Sequence, residues 1–109
     1  MITGDADFIA ILKYLTPEEG GRTNPVVLNY FPLIKFPFSE IMTGGKQKFL
    51  NKQEVYPGET IEAEIELLSS DIFLKQLSEG MEFKFEEIPG RTLGTGVIRQ
   101  IINLDLKKP

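Results

Sequence analysis

The sequence predicts an all-β fold: a six-stranded antiparallel closed β-barrel, one domain over residues 1–109, with a short helical turn near residues 71–79. Three observations carry this. Apolar and polar residues alternate with a period of two through much of the chain, the pattern of strands with one buried face. Gly- and Pro-containing turns punctuate these segments, and one stretch alone carries helix signals. Six strands with short turns indicate a barrel or sandwich, and closure favours the barrel because it hides strand edges.

Taken in order, residues 8–15 are more uniformly apolar, as expected of a strand covered on both sides. Thr16-Pro17-Glu18-Glu19-Gly20-Gly21 reads as a turn or loop. Residues 28–38 form a strand interrupted by Pro32 and Pro37, which cannot donate to a ladder, so an edge or bulge is expected. A shorter strand covers residues 46–50, and Tyr56-Pro57-Gly58-Glu59 is a tight turn. Residues 60–68 alternate most clearly. Ile61, Ala63, Ile65 and Leu67 share one face; Glu62, Glu64 and Glu66 share the other. Ser70-Asp71 offers a helix N-cap, Ile72 to Leu77 a turn or two, and Gly80 a C-cap. Met81, Phe83 and Phe85 alternate with Glu82, Lys84 and Glu86 in the fifth strand. Pro89-Gly90 turns into the last, residues 91–106, where Gly94 and Gly96 mark bends or bulges.

Composition narrows the function. The 109 residues include no His and no Cys, and a 41% hydrophobic, 26% charged chain is ordinary and globular. Without those side chains there is no His general base, thiolate nucleophile, Cys/His zinc site or disulfide framework. A glycosidase-type carboxylate pair needs a set separation in a pocket, whereas the Glu62, Glu64, Glu66 row lies opposite the apolar face. That row reads first as a solvated strand face, and second as an acidic surface steering a basic partner. Gly94-Thr95-Gly96 and Gly20-Gly21 lack the pattern and the strand–loop–helix context of a phosphate loop. No enzyme, cofactor, metal or nucleotide site is expected. No run approaches the ~20 apolar residues of a membrane span, and the first residues lack signal-peptide character, so no membrane partner and a cytoplasmic location are expected. Net charge is −4, with 12 Lys and Arg against 16 Asp and Glu, which argues against general nucleic-acid affinity. Tyr30-Phe31-Pro32-Leu33-Ile34 puts bulky residues at both parities; they serve the core first, an outer contact patch second.

Four segments then come together in order: Glu18-Glu19-Gly20-Gly21-Arg22; Pro25 with Tyr30-Phe31-Pro32; Tyr56-Pro57-Gly58 before an alternating strand; and Gly90-Arg91-Thr92-Leu93-Gly94-Thr95-Gly96-Val97. Together they resemble the C-terminal β-barrel, the third domain, of bacterial elongation factor Tu. That family carries an EEGGR or DEGGR loop, a Y-R-P segment, a P-G turn and a closing G-R-T-V-G-A-G-V strand. The resemblance runs from about residue 7 to residue 102 and implies a six-stranded antiparallel barrel. In the family this barrel follows a GTPase domain and a second barrel and helps hold the T stem of aminoacyl-tRNA. No P-loop or switch segment is present, so no GTP chemistry is inherited. With Met1 almost directly before the barrel, a complete chain is expected to be a free-standing copy, the alternative being an excised domain.

Followed residue by residue, the family's tRNA-facing Gln after Y-R-P becomes Leu33, its Arg becomes Phe31, and its Glu-Gly before G-R-T becomes Ile88-Pro89. The Thr of the T-G pair is kept as Thr43. These exchanges remove hydrogen-bonding groups, a charge and a backbone N–H, which argues against tRNA. Gly20, Gly21, Arg22, Gly90, Arg91, Thr92, Gly94 and Gly96 are kept and read as architectural, with Arg22 and Arg91 pairing with loop carboxylates. The expected function is a non-enzymatic binding module whose surface of Phe31, Leu33, Thr43, Ile88 and Pro89 takes a protein partner, in one version as a mimic of elongation factor Tu. The alternative is an RNA- or ribosome-binding protein in translation, supported by Lys46, Lys48 and Lys52.

Overall fold

Every segment expected to be a strand contains one in the computed structural model, which describes residues 6–27 and 30–109. The strands are β1 (Phe8–Tyr14), β2 (Val26–Val27), β3 (Leu33–Lys35), β4 (Thr43–Phe49), β5 (Glu54–Val55), β6 (Thr60–Leu67), β7 (Glu82–Glu86) and β8 (Thr92–Ile101). Six of them close an antiparallel barrel in the order β1-β6-β4-β3-β7-β8, with β8 returning to β1. The ribbon β2–β5, two residues on each side, was not expected.

Phenylalanine fills the interior. Phe8 meets Phe83 edge to face at 5.7 Å, Phe36 meets Phe73 at 4.9 Å, and Tyr14 meets Phe85 at 4.9 Å, the offset geometry aromatic quadrupoles favour. Gly94 and Gly96 make room for these rings. They lie across from Phe85 and Phe83 on β7, and a Cβ at either would stand 2.2–2.3 Å from the ring opposite. Both are therefore spacers, and Gly94 also borders a bulge as expected: Phe85 pairs with Gly94 and Glu86 with Thr92, which leaves Leu93 as the extra residue. Gly96 lies away from any register shift, the other one in β8 falling at Arg99, opposite Ile9/Ala10.

Other expectations change in detail. Only the first residues of β1 are covered on both sides, since Ile11 and Lys13 face outward and are exposed. The prolines make neither an edge nor a bulge: Pro32 and Pro37 bracket a three-residue β3 that pairs on both sides, with β4 and β7. Leu28 and Asn29, part of the expected strand, lie outside the described residues. β4 starts at Thr43, earlier than residue 46, and β8 stops at Ile101 before a 3-10 turn at Leu104–Leu106. The helical segment reduces to a 3-10 turn at Ser70–Phe73 whose N-cap, Ser69, makes no side-chain cap. Gly80 ends a turn from Ser78 rather than this helix. The Thr16 loop is a 3-10 turn closed by a capping box, with Thr16 and Glu19 exchanging backbone-to-side-chain hydrogen bonds.

Candidate functional site

One row across the outer face gathers the first candidates. Leu33 lies opposite Glu86 on β7 and opposite Gly44 on β4. The Gly44 carbonyl accepts a hydrogen bond from Leu68 N–H at 2.8 Å, just beyond the end of β6. Because Gly44 has no side chain, the ring of Phe31 folds down over it. Phe31 and Leu68 remain 48% and 72% exposed, so two open apolar side chains are brought to the backbone of Gly44, with half-buried Leu33 beside it. Six of the eight phenylalanines are buried; Phe31 and Phe38 are the two that are not.

Ile88 and Pro89 form the tip of the β7–β8 turn. Arg91 N–H donates to the Ile88 carbonyl at 3.0 Å, and Gly90 sits at φ +92°. This is a turn with Pro at its second position and Gly at its third, the position that demands positive φ. The Glu86 carboxylate, buried, accepts from Gly90 N–H at 3.0 Å and fixes the turn beside Leu33. Ile88 is left 59% exposed.

Thr43 does not join this surface. It is buried, and its hydroxyl accepts from Ser69 N–H at 3.0 Å, tying β4 to the end of β6. Leu68, absent from the expected surface, takes its place. Its signal was available: it has the parity of Glu62, Glu64 and Glu66 and breaks their polar pattern.

The two kept arginines meet on one carboxylate. Glu87 lies 3.0 Å from Arg91 Nη1 and 3.5 Å from Arg22 Nη1. Arg22 also lies over the Tyr30 ring at 5.4 Å, a cation–π contact. The Gly20–Gly21 loop and the Gly90–Arg91 turn are thereby joined. Gly21 approaches the Leu15 carbonyl so closely that a Cβ would stand 2.3 Å from it. Thr92 opens β8 opposite Glu86.

Part of the strand charge is neutralised within the sheet. Glu62 pairs with Arg99, and Glu66 with Lys46 at 3.1 Å. Glu64, expected on a solvated face, is only 2% exposed. Lys52 pairs with Glu59 at 2.5 Å, so two of the three lysines that favour RNA are engaged. Lys48 stays exposed. Among the described residues no group of three His, Cys, Asp or Glu side chains is placed to hold a metal ion, and no helix is long and apolar enough to cross a membrane. No protein-family model matches the chain.

Proposed function

We propose that this chain is a non-enzymatic binding module on a barrel of the elongation factor Tu third-domain type. Its partner is a protein, received by Phe31, Leu33, Ile88 and Pro89 with Leu68 extending the patch. One observation carries the reading: Phe31 lies in the open over Gly44 in a protein that buries six of its eight phenylalanines. Contiguous exposed apolar groups on a rigid sheet are what a protein partner covers. The resemblance supports a specific version, a mimic that competes for something that binds elongation factor Tu. RNA is less favoured, because the net charge is −4 and Lys46 and Lys52, two of the three lysines that suggest it, pair with Glu66 and Glu59.

The test is a pull-down from native lysate with the natural chain, Leu33→Glu and Ile88→Glu. The reading expects a stoichiometric protein partner that both variants lose. Recovery of nothing, or of the same proteins with both variants, contradicts it.

A further inference from the structure

The second exposed phenylalanine, Phe38, stands beyond the opposite end of β3 from Phe31. Its ring stacks on buried Phe36, with centroids 5.7 Å apart and planes 14° from parallel, and meets buried Phe73 edge-on at 6.1 Å. It is thus held by the core yet 44% exposed. With Pro37 and Met81 it floors a groove of about 340 Å³, rimmed by Lys75, Gln76 and Lys108. No carboxylate lines this groove.

The rim is cationic and unneutralised. Six lysines have no carboxylate within 4.0 Å among the described residues: Lys13, Lys35, Lys48, Lys75, Lys84 and Lys108. Four of the six line either this groove or the neighbouring one of about 370 Å³, and the two grooves meet at Pro37. In the neighbour, Lys35 lies directly opposite Lys84 across β3 and β7, a like-charge pairing that sheets disfavour. Glu82 and Glu86 line that second groove too, so the uncompensated charge is greatest at Lys75 and Lys108.

The backbone at Lys75 points the same way. Leu74 at φ −57°, ψ 129° and Lys75 at φ +60° are the centre of a turn closed by Gln76 N–H to the Phe73 carbonyl at 3.2 Å. Such a turn wants Gly or Asn where Lys75 stands. A lysine held in the left-handed region, by its own N–H to the Asp105 carbonyl at 2.9 Å, is strain of the kind that gathers at binding sites.

We propose that this groove binds an acidic peptide segment, one apolar side chain resting on Phe38 and Met81 and carboxylates on either side meeting Lys75 and Lys108. A small apolar floor between two cations suits that ligand. A nucleic acid needs a longer track of cations along its backbone, and a bilayer needs a flat face. The site is separate from the Phe31 patch, so each stands or falls alone.

The test is an NMR amide-shift titration of the full chain with a capped peptide of Asp and Glu around a single Phe. Controls replace the Phe by Ser, or the acids by Asn and Gln; uridine decamer RNA and phosphatidylserine vesicles form two further arms. Saturable shifts at Phe38, Gln76 and Met81 are expected with the acidic Phe peptide, and both control peptides bind at least about fivefold more weakly. Lys75→Gly and Lys108→Gln each weaken binding by about twofold to fivefold. Lys75→Gly melts no lower than the natural chain, so its loss of binding is not loss of fold. Absent shifts, equal response to a control peptide, unchanged affinity in both variants, or preferred binding of RNA or vesicles at these residues overturns the proposal.

Discussion

The phenyl ring of Phe31 covers the backbone of Gly44, and a Cβ at residue 44 would stand 2.3 Å from Phe31 Cε1. That contact can yield, because the neighbour is one half-exposed side chain. Gly44→Ala is therefore expected to change stability by less than about 1 kcal/mol, while lifting the ring and weakening partner capture. Gly94→Ala makes the contrast. There the added methyl meets Phe85 Cζ at 2.2 Å and the Lys13 carbonyl oxygen at 2.5 Å, inside the barrel. A loss of about 3 kcal/mol, the upper end for overpacking, is expected on urea unfolding. Equal losses in the two variants would contradict this account of the outer ring.

How far the sequence speaks depends on what a residue's side chain reports. β6 was legible because Ile61, Ala63, Ile65 and Leu67 alternate with glutamates without a break. The start of β4 was not, since Gly44 and Gly45 have no side chains to alternate. β2 and β5 are two residues each, too short for any period. The helix signals from Ser70 onward misled because Leu74 and Lys75 leave helical geometry one turn in. Phe31 and Leu33 stand out first as bulky residues within a run that is apolar at both parities, and again through a resemblance. That Leu68 joins them and Thr43 turns inward depends on contacts between β4 and the end of β6, Leu68 N–H to Gly44 and Ser69 N–H to Thr43, more than twenty residues apart, which local pattern does not contain.

Tyr14 and Gln47 form a polar pair in the core. The Tyr14 hydroxyl donates to Gln47 Oε1, both residues are buried, and Gln47 Nε2 has no hydrogen-bond partner among the described residues. Burial pushes the Tyr14 hydroxyl far above the usual tyrosine range. Tyr14→Phe alone strands the glutamine and is expected to cost about 1–3 kcal/mol. Tyr14→Phe with Gln47→Leu should recover most of that loss, because no buried polar group is left waiting. A double variant as unstable as the sum of its singles on chemical denaturation would refute the pairing.

Asp7 joins the two ends of the described chain. Its carboxylate accepts from Leu67 N–H at 2.7 Å and Asn103 Nδ2 at 2.9 Å, and its carbonyl accepts from Ile102 and Asn103 N–H at 3.0 Å each. Asp7→Ala leaves two donors beside a buried site and should cost about 3 kcal/mol, against about 1 kcal/mol for Asn103→Ala. Hydrogen exchange in Asp7→Ala should rise first at Leu67 and Ile102. Uniform exchange across all strands would argue that Asp7 acts otherwise.

Acid should weaken the fold. Glu79 is held below the usual carboxylate range by Ile101 N–H and then Lys107; Glu59 by Lys52 and then Tyr56 N–H. With the folded pKa the lower one, the unfolded chain binds more protons in acid, so stability is present above the ordinary glutamate pKa of about 4.3 and fades as pH falls through the folded values. The melting temperature should drop between about pH 5 and pH 3, and Glu79→Gln should flatten that drop. A slope unchanged by Glu79→Gln would show that this carboxylate does not contribute.

The most direct measurement of the central claim is site-specific photocrosslinking in native lysate, with a photoreactive side chain placed in turn at residues 31, 88 and 48. Phe31 and Ile88 lie on the proposed contact face, whereas Lys48 is exposed on β4 two positions beyond Lys46. The account predicts one discrete protein adduct from residues 31 and 88 and none from residue 48. Adducts of equal yield from all three positions, or from residue 48 alone, would contradict it.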